Sequence, residues 1–429
     1  MTLLTKLPKL KYIALGLLTC FLVSAPLIYQ YQHSTLAQTQ TPGTDLKISE
    51  NNRYLTRQDS ENNRYLTRQD GTPFFWLADT VYGGLYNNAT QADVDYYLQR
   101  RKEQGFNTIK TSLDPTINST NKSGNKMCLD SACTQPNPAY FQHIDYVVDK
   151  AKESDMYIIM YIKARNSGYP AFSEWVANRY RYNSNVIWWV RTNIEATVEA
   201  IGKGVLGRNM DWTQADPDWK KLLMAQYINP LATGSQPWVS LRTFQNTKYS
   251  EMETAYKATP TKPVVRGDGC YEVHRYHKGP FPDSPYTHFL SGNFFTYGYD
   301  SPIWDFQSNW KTLMESSGAL HTSIFANFFK QREWWKIVPD QTVQVSPSSS
   351  IRSARTSDGN SIYAFLPSSQ AININLTKIT VGNQVVATWL NTRTGAIVQV
   401  PQPYTKASSV RFTPPSSWDK SLLILDAVN

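Results

Sequence analysis

The chain has 429 residues, 41% of them hydrophobic and 18% charged, with four cysteines and a formal net charge of +9. This balance excludes a disordered chain and a small disulfide-stapled scaffold, and the length suits a large domain with a smaller one beside it. The basic residues include Lys6, Lys9 and Lys11 at the start and are otherwise scattered. With no Lys/Arg run and no nucleic-acid motif, the excess is read as solubility or as attraction to an acidic polymer, and no nucleic-acid partner is expected.

The start, "MTLLTKLPKLKYIALGLLTCFLVSAPLI", couples a basic region to an apolar stretch shorter than the ~20 residues a spanning helix needs. It reads as a secretory signal with small residues for cleavage near Ala37, or alternatively as an uncleaved anchor. Thr19 before Cys20 weakens any likeness to a lipoprotein box. Either way the bulk of the chain is expected to be exported, extracellular or periplasmic, with membrane contact only through that segment. A polar, turn-rich linker follows, and 38–61 is assigned to it. "SENNRYLTRQD" occurs twice in tandem, at 49–59 and 60–70. Two copies are too few for a repeat architecture. Only the second runs on into "GTPFFWLADT", so the first is read as a duplication left in the linker.

"RYLTRQDGTPFFWLADT" reads as two strands around an Asp70–Gly71 turn. "TQADVDYYLQRRKEQG" is a helix with Thr90 as N-cap, basic residues in its last turn and Gly105 as its stop. "NTIKTSL" is a buried strand. Asn137 and then Pro138 open the next helix, whose Tyr140, Phe141, Ile144, Val147, Val148 and Ala151 make one apolar face. The strand "MYIIMYIKA", the helix "PAFSEWVANRYRYNS" and the strand "NVIWWVRT" continue the alternation, which requires parallel strands with crossover helices. Further strands are expected at "KKLLMAQYINP", "QPWVSLRTFQ", "KPVVRGDG" and "FFTYGY", with helical "YSEMETAYKA" and "SPYTHFLSGNFF" between them. Eight strands between roughly 70 and 340 match a (β/α)8 TIM barrel, whose usual size is about 250 residues. From 343 to 429, short alternating strands divided by Gly, Pro, Ser and Asn predict a small all-β sandwich, leaving 62–342 to the barrel. Export permits disulfides; Cys128 and Cys133 in "CLDSAC" are expected to pair, leaving Cys270 as a buried thiol.

Reactive groups of such a barrel project from the C-terminal ends of its strands. Those ends carry Asp79, Asp114, Lys163, Arg191, Asn193, Asn229, Gln245, Asp268 with Glu272, and Tyr299 with Asp300. Tyr82 and Trp304 add aromatic faces. His274 and His277 alone do not define a metal site, and neither metal nor cofactor is expected. The 13 Trp and 26 Tyr suit either stacking on sugar rings or plain packing. Carboxylates in an exported, aromatic-rich barrel suit glycoside hydrolysis, in which one protonates the leaving oxygen and another attacks or activates water.

"NRYLTRQDGTPFFWLADTVYGG", "YLQRRKEQGFNTIKTSL", "NPAYFQHIDYVVDKA", "VANRYRYNSNVIWWV", "TPTKPVVRGDGCYE" and "LSGNFFTYGYDSPIWDF", in this order, resemble the apiosidase-like glycoside hydrolases. The resemblance runs from about Asn63 to Pro339, and the tail resembles the collagen-binding-type β-sandwich often attached to such barrels. It implies a secreted enzyme acting on plant, algal or cell-wall polysaccharide. It also places the expected acid/base Asp at Asn193, within Arg191-Thr192-Asn193, and the expected nucleophile Glu at Asp268. The family's His is Tyr299 here, and its Ser-Gly-His is Asn246-Thr247-Lys248. An amide cannot act as a general acid. Asp79, Glu272 and Asp300 therefore stand as replacement acids, with Asp268 as the preferred catalytic carboxylate and Tyr82, Asp114, Arg191, Gln245, Tyr299, Asp300 and Trp304 as substrate contacts. Each has a structural alternative: Asp79 satisfying backbone donors, Glu272 pairing with Arg275 or holding a loop, Arg191 in a salt bridge, Asp114 in a turn. The competing reading of the whole chain is an inactive glycan-binding or envelope protein on the same barrel.

Overall fold

The computed structural model describes residues 43–48 and 64–428, apart from 117, 164–168, 192–193, 227–234, 245–248, 270 and 275–278. The expected signal or anchor, the first repeat copy, Asn193, Asn229, Gln245, Cys270, Arg275 and His277 lie outside the described residues. No helix among the described residues is long and apolar enough to cross a membrane.

The described part of the second repeat copy, 64–70, folds as the turn residues predict. Strands β2 (Leu66–Thr67) and β3 (Pro73–Phe74) pair antiparallel around a turn in which the Asp70 carboxylate accepts the Thr72 N–H at 2.8 Å. The linker expectation fails for residues 43–48. β1 (Lys47–Ile48) adds a third strand, pairing Ile48 with Leu66, and Leu46 is buried. Two apolar residues in an otherwise polar stretch suffice to bring it onto the hairpin.

Strands β4 (Leu77–Thr80), β5 (Thr108–Leu113), β6 (Tyr157–Ile162), β7 (Val186–Val190) and β8 (Met224–Gln226) run parallel in one sheet. β9 (Arg242–Phe244) and β10 (Val264–Arg266) form a second parallel pair, and β11 (Phe295–Gly298) lies on β4. The six-stranded order is β11-β4-β5-β6-β7-β8. Single parallel bridges, Ala225 with Leu241 and Val265 with Phe294, link the two sheets at either edge. β5, β6 and β7 are buried at every position, because helices cover one face and side chains fill the other.

The helices begin where the sequence places its caps. Thr90 and Asp93 form a reciprocal capping box on the helix Gln91–Glu103, and the Asn137 side chain caps Pro138–Glu153, which buries the expected six residues. The expected strand "KKLLMAQYINP" forms at Met224–Gln226, while its first two residues, Lys220 and Lys221, belong to a 3-10 turn, Pro217–Lys221, which Asp216 caps and whose Pro217 suits a first helical position. Cys128 and Cys133 are joined by a disulfide across a Cα separation of 5.1 Å.

The C-terminal part is all-β. Its strands are β12 (Ile337–Pro339), β13 (Arg352–Thr356), β14 (Ser361–Leu366), β15 (Ile372–Ile374), β16 (Gln384–Asn391), β17 (Ile397–Gln399), β18 (Tyr404–Thr405), β19 (Val410–Phe412) and β20 (Ser421–Val428). The main sheet runs β12-β13-β14-β20-β16-β17 and is antiparallel, with β18 also on β16 and β15 paired to β19 apart from it. β12 thus opens this sheet from within 62–342, the span assigned to the barrel by sequence. The two-residue period of β14 and β20 divides their side chains between two cores. Tyr363, Phe365, Leu422 and Ile424 join the core of the parallel sheet, while Ile362, Ala364, Leu423 and Leu425 pack with Ile372, Ile374 and Phe412 of β15 and β19. Across the first interface Tyr286 stacks on Phe365 at 5.2 Å, and Arg332 meets Asp426 at 3.1 Å.

Candidate functional site

The site is built where the strands end. Beyond β10 the chain turns through Gly267, Asp268 and Gly269. A Cβ on Gly267 would lie 2.4 Å from the Trp189 ring of β7, so only glycine lets the two strand ends approach this closely. Gly269 has φ +81° and donates its N–H to Asp268 Oδ1 at 3.1 Å. The Tyr82 hydroxyl donates to the same oxygen at 2.8 Å and also bonds the Tyr271 hydroxyl at 2.8 Å. Tyr82 follows β4 with a left-handed φ of 40°, a conformation costly for a bulky residue, and Thr111 bonds its carbonyl.

Lys110 projects from β5 and is fully buried. Its Nζ donates to the Gly267 carbonyl at 2.8 Å and lies 3.6 Å from Asp268 Oδ1. The Trp189, Tyr82 and Tyr161 rings surround it at 5.1, 5.4 and 5.5 Å. Burial pushes the ammonium below the usual lysine range; Asp268 opposes this, and Lys163 and Arg191 add repulsion. Lys163, at the end of β6, lies 5.0 Å from the Tyr82 ring.

Aromatic rings wall one side. Trp304 packs edge-on to Tyr82 at 4.8 Å and to Tyr271 at 4.7 Å, and lies 5.4 Å from His274. Its indole N–H is buried without a hydrogen-bond partner among the described residues. Asp300 caps the short helix after β11, accepting the Ser301 N–H at 2.7 Å. Partial burial, with the Glu272 and Asp300 charges, pushes the half-buried Tyr299 phenol up. Partial burial and Asp300 likewise push the neighbouring Asp305 carboxyl up, while Lys163 opposes.

Two expected acids belong to the scaffold instead. Asp79 is fully buried on the helix side of β4, where its Oδ2 accepts from Tyr97 at 2.5 Å and from Arg101 at 2.6 Å, both on the helix Gln91–Glu103. Burial pushes its carboxyl up against the pull of Arg101 and Tyr97. Asp79 faces outward from the sheet because strand residues alternate, and there it is the ion-pair partner of Arg101. Glu272 sits at the start of the helix Ser317–Lys330. It accepts from Tyr297 at 2.7 Å, Ser316 at 2.6 Å and the Gly318 N–H at 2.9 Å. Its carboxylate thus satisfies a donor at that helix N-terminus. Asp114 accepts from Ser119 through its backbone carbonyl, and Arg191 is exposed at the end of β7. Of the expected residues, the structure brings together Asp268, Tyr82 and Trp304. Sequence reading missed Lys110 and Tyr271. A lysine at the centre of the otherwise uncharged, buried strand "NTIKTSL" was the available signal, since a buried cation demands a partner.

Residues 60–336 match the family model described as Apiosidase-like, catalytic domain, and residues 338–426 match that of a collagen-binding-like domain of a collagenase. No curated protein matches the chain in sequence. A solved structure described as a glycoside hydrolase superposes with a TM-score of 0.74 at 19% identity, covering 90% of this chain and 97% of its own. A glycoside hydrolase of family 5 from Bacteroides vulgatus gives 0.73 at 19% identity, over 85% and 92%. At such identity the two structures speak to fold alone. The first family model spans more than half of the chain and takes in every strand end described above, and the chain therefore belongs to the apiosidase-like glycoside hydrolase family.

Proposed function

We propose that the parallel strands close into a (β/α)8 barrel and that the protein is an exported glycoside hydrolase acting on plant, algal or cell-wall polysaccharide. The observation that carries this reading is the carboxylate of Asp268, fixed at the strand ends by the Tyr82 hydroxyl, the Gly269 N–H and the Lys110 ammonium. A carboxylate oriented by several donors and flanked by aromatic faces suits attack on an anomeric carbon or activation of water. Trp304 packs edge-on to Tyr82 and Tyr271 and backs the aromatic wall beside the carboxylate. With Asp79 and Glu272 bonded to helices of the scaffold, the proton donor is drawn from Asp300 or Asp305; partial burial first, and then the Asp300 charge, push the Asp305 carboxyl up.

The test is to incubate the purified region 38–429 with pectic, algal and cell-wall polysaccharides and measure released reducing sugar. Activity is expected, and D268N should lower it on the order of 10²–10⁴-fold. Turnover unchanged by D268N would remove Asp268 from the mechanism. A second reading, glycan binding without turnover, is favoured by one observation: two of the three replacement acids are tied into the scaffold. Binding with no product after long incubation would establish that reading and overturn the first.

A further inference from the structure

The charge arrangement inside the parallel sheet goes beyond a carboxylate at a strand end. Lys110 stands on β5, three strand positions away from β10 through β4 and β11, and reaches inward to the Gly267 carbonyl and Asp268. A fully buried ammonium is costly unless paired and hydrogen-bonded, and this turn supplies both a carbonyl and a carboxylate. We infer that Lys110 is a positioning residue for Asp268, its ammonium fixing the direction of the carboxylate by spanning the Gly267 carbonyl and Oδ1. The inference rests on the reading of Asp268 as the reacting carboxylate.

The surroundings favour this role over simple packing. Lys110 is caged by the rings of Trp189, Tyr82 and Tyr161, which lower the local dielectric and strengthen the attraction across 3.6 Å. Tyr82 touches both partners, bonding Asp268 through its hydroxyl and presenting its ring to Lys110. Among the described residues, Lys163 on β6 and Arg191 after β7 are charged groups that repel Lys110. Tyr271 and His274 approach from the turn after β10. Asp268 is thus the carboxylate that offsets the Lys110 charge at this turn. Without Lys110 the carboxylate would lose that neighbouring cation.

The test compares wild type with K110M in two readings. On a glycan that wild type degrades, K110M should lower kcat by on the order of 10–100-fold with KM little changed. The second reading needs no turnover: the Asp268 carboxyl resonance, followed at one fixed pH by carbon NMR in aspartate-labelled protein and assigned by its loss in D268N, should move in K110M, because the carboxylate loses a charged neighbour at 3.6 Å. Absence of activity in wild type would count against the hydrolase reading and leave the NMR comparison to decide the role of Lys110. An unmoved resonance and an unchanged kcat per folded molecule, with only thermal stability reduced, would overturn the inference. If K110M does not fold, K110Q, which keeps an N–H for the Gly267 carbonyl, takes its place in both measurements, and the same shifts, or their absence, support or overturn the role of Lys110.

Discussion

Two buried aspartates, one on each face of the same sheet system, meet a cation in different ways. Asp79 lies between β4 and its covering helix, where Arg101 reaches it at 2.6 Å, Tyr97 at 2.5 Å, and the Arg101 guanidinium sits 5.2 Å from the Phe106 ring. Asp268 lies at the strand ends, where Lys110 stands off at 3.6 Å and a phenol and a backbone N–H share the same oxygen. The first arrangement closes around its carboxylate and ties helix to strand. The second orients a carboxylate next to an aromatic wall while giving it a looser counter-charge. Charge and burial alone would rank the two alike. Which face of the sheet each residue occupies, and how directly the cation engages it, separates scaffold from candidate chemistry.

That contrast can be broken most strongly on the scaffold side. R101M would strand the Asp79 carboxylate in the interior and should cost about 3–5 kcal/mol of stability, read from urea unfolding. Any hydrolysis per folded molecule should survive it. Y82F reverses the pattern: losing a hydroxyl bonded to a charged group should cost about 1.5–3 kcal/mol in kcat, a fall on the order of 10–100-fold, with unfolding changed by less than ~1 kcal/mol. A stability loss without a rate effect would place Tyr82 with Arg101. E272Q offers an intermediate case, since it keeps the shape but removes a charge from a helix N-terminus; about 0.5–1 kcal/mol of unfolding free energy should be lost, and activity retained. Deleting residues 49–59 touches neither carboxylate and should leave stability within ~0.5 kcal/mol and activity unchanged, by the same two assays. A larger loss would mean that the first repeat copy takes part in the hairpin's pairing.

Much of the fold was legible because local rules and tertiary demands agree. Thr90, Asn137 and the Asp70–Gly71 turn each mark an element boundary by backbone chemistry that needs no distant partner. The faces of β14 and β20 follow from a two-residue period, although which core each face meets does not. The site was legible only in part. Strand-end position identifies candidates, yet alternation along β4 sends Asp79 to the helix layer, and nothing local to "GCYE" announces that Glu272 meets a helix start some 45 residues later. Lys110 was overlooked for the converse reason. The carbonyl it bonds is 157 residues away in sequence, so a cation in an apolar strand looks like a flaw until the sheet brings β10 across.

The division of β14 and β20 between two cores has a practical consequence. The matched families meet between residues 336 and 338, which invites treating the C-terminal part as a cassette to be trimmed or exchanged. Yet Tyr363, Phe365, Leu422 and Ile424 belong to the same apolar interior as the strand-end scaffold, and Phe365 stacks on Tyr286 of the helix Asp283–Leu290. A cut at the family boundary would open that interior to solvent on both products. The seam drawn by ancestry runs through the middle of a single packed layer, so an engineer seeking a minimal version of this protein should leave the tail in place.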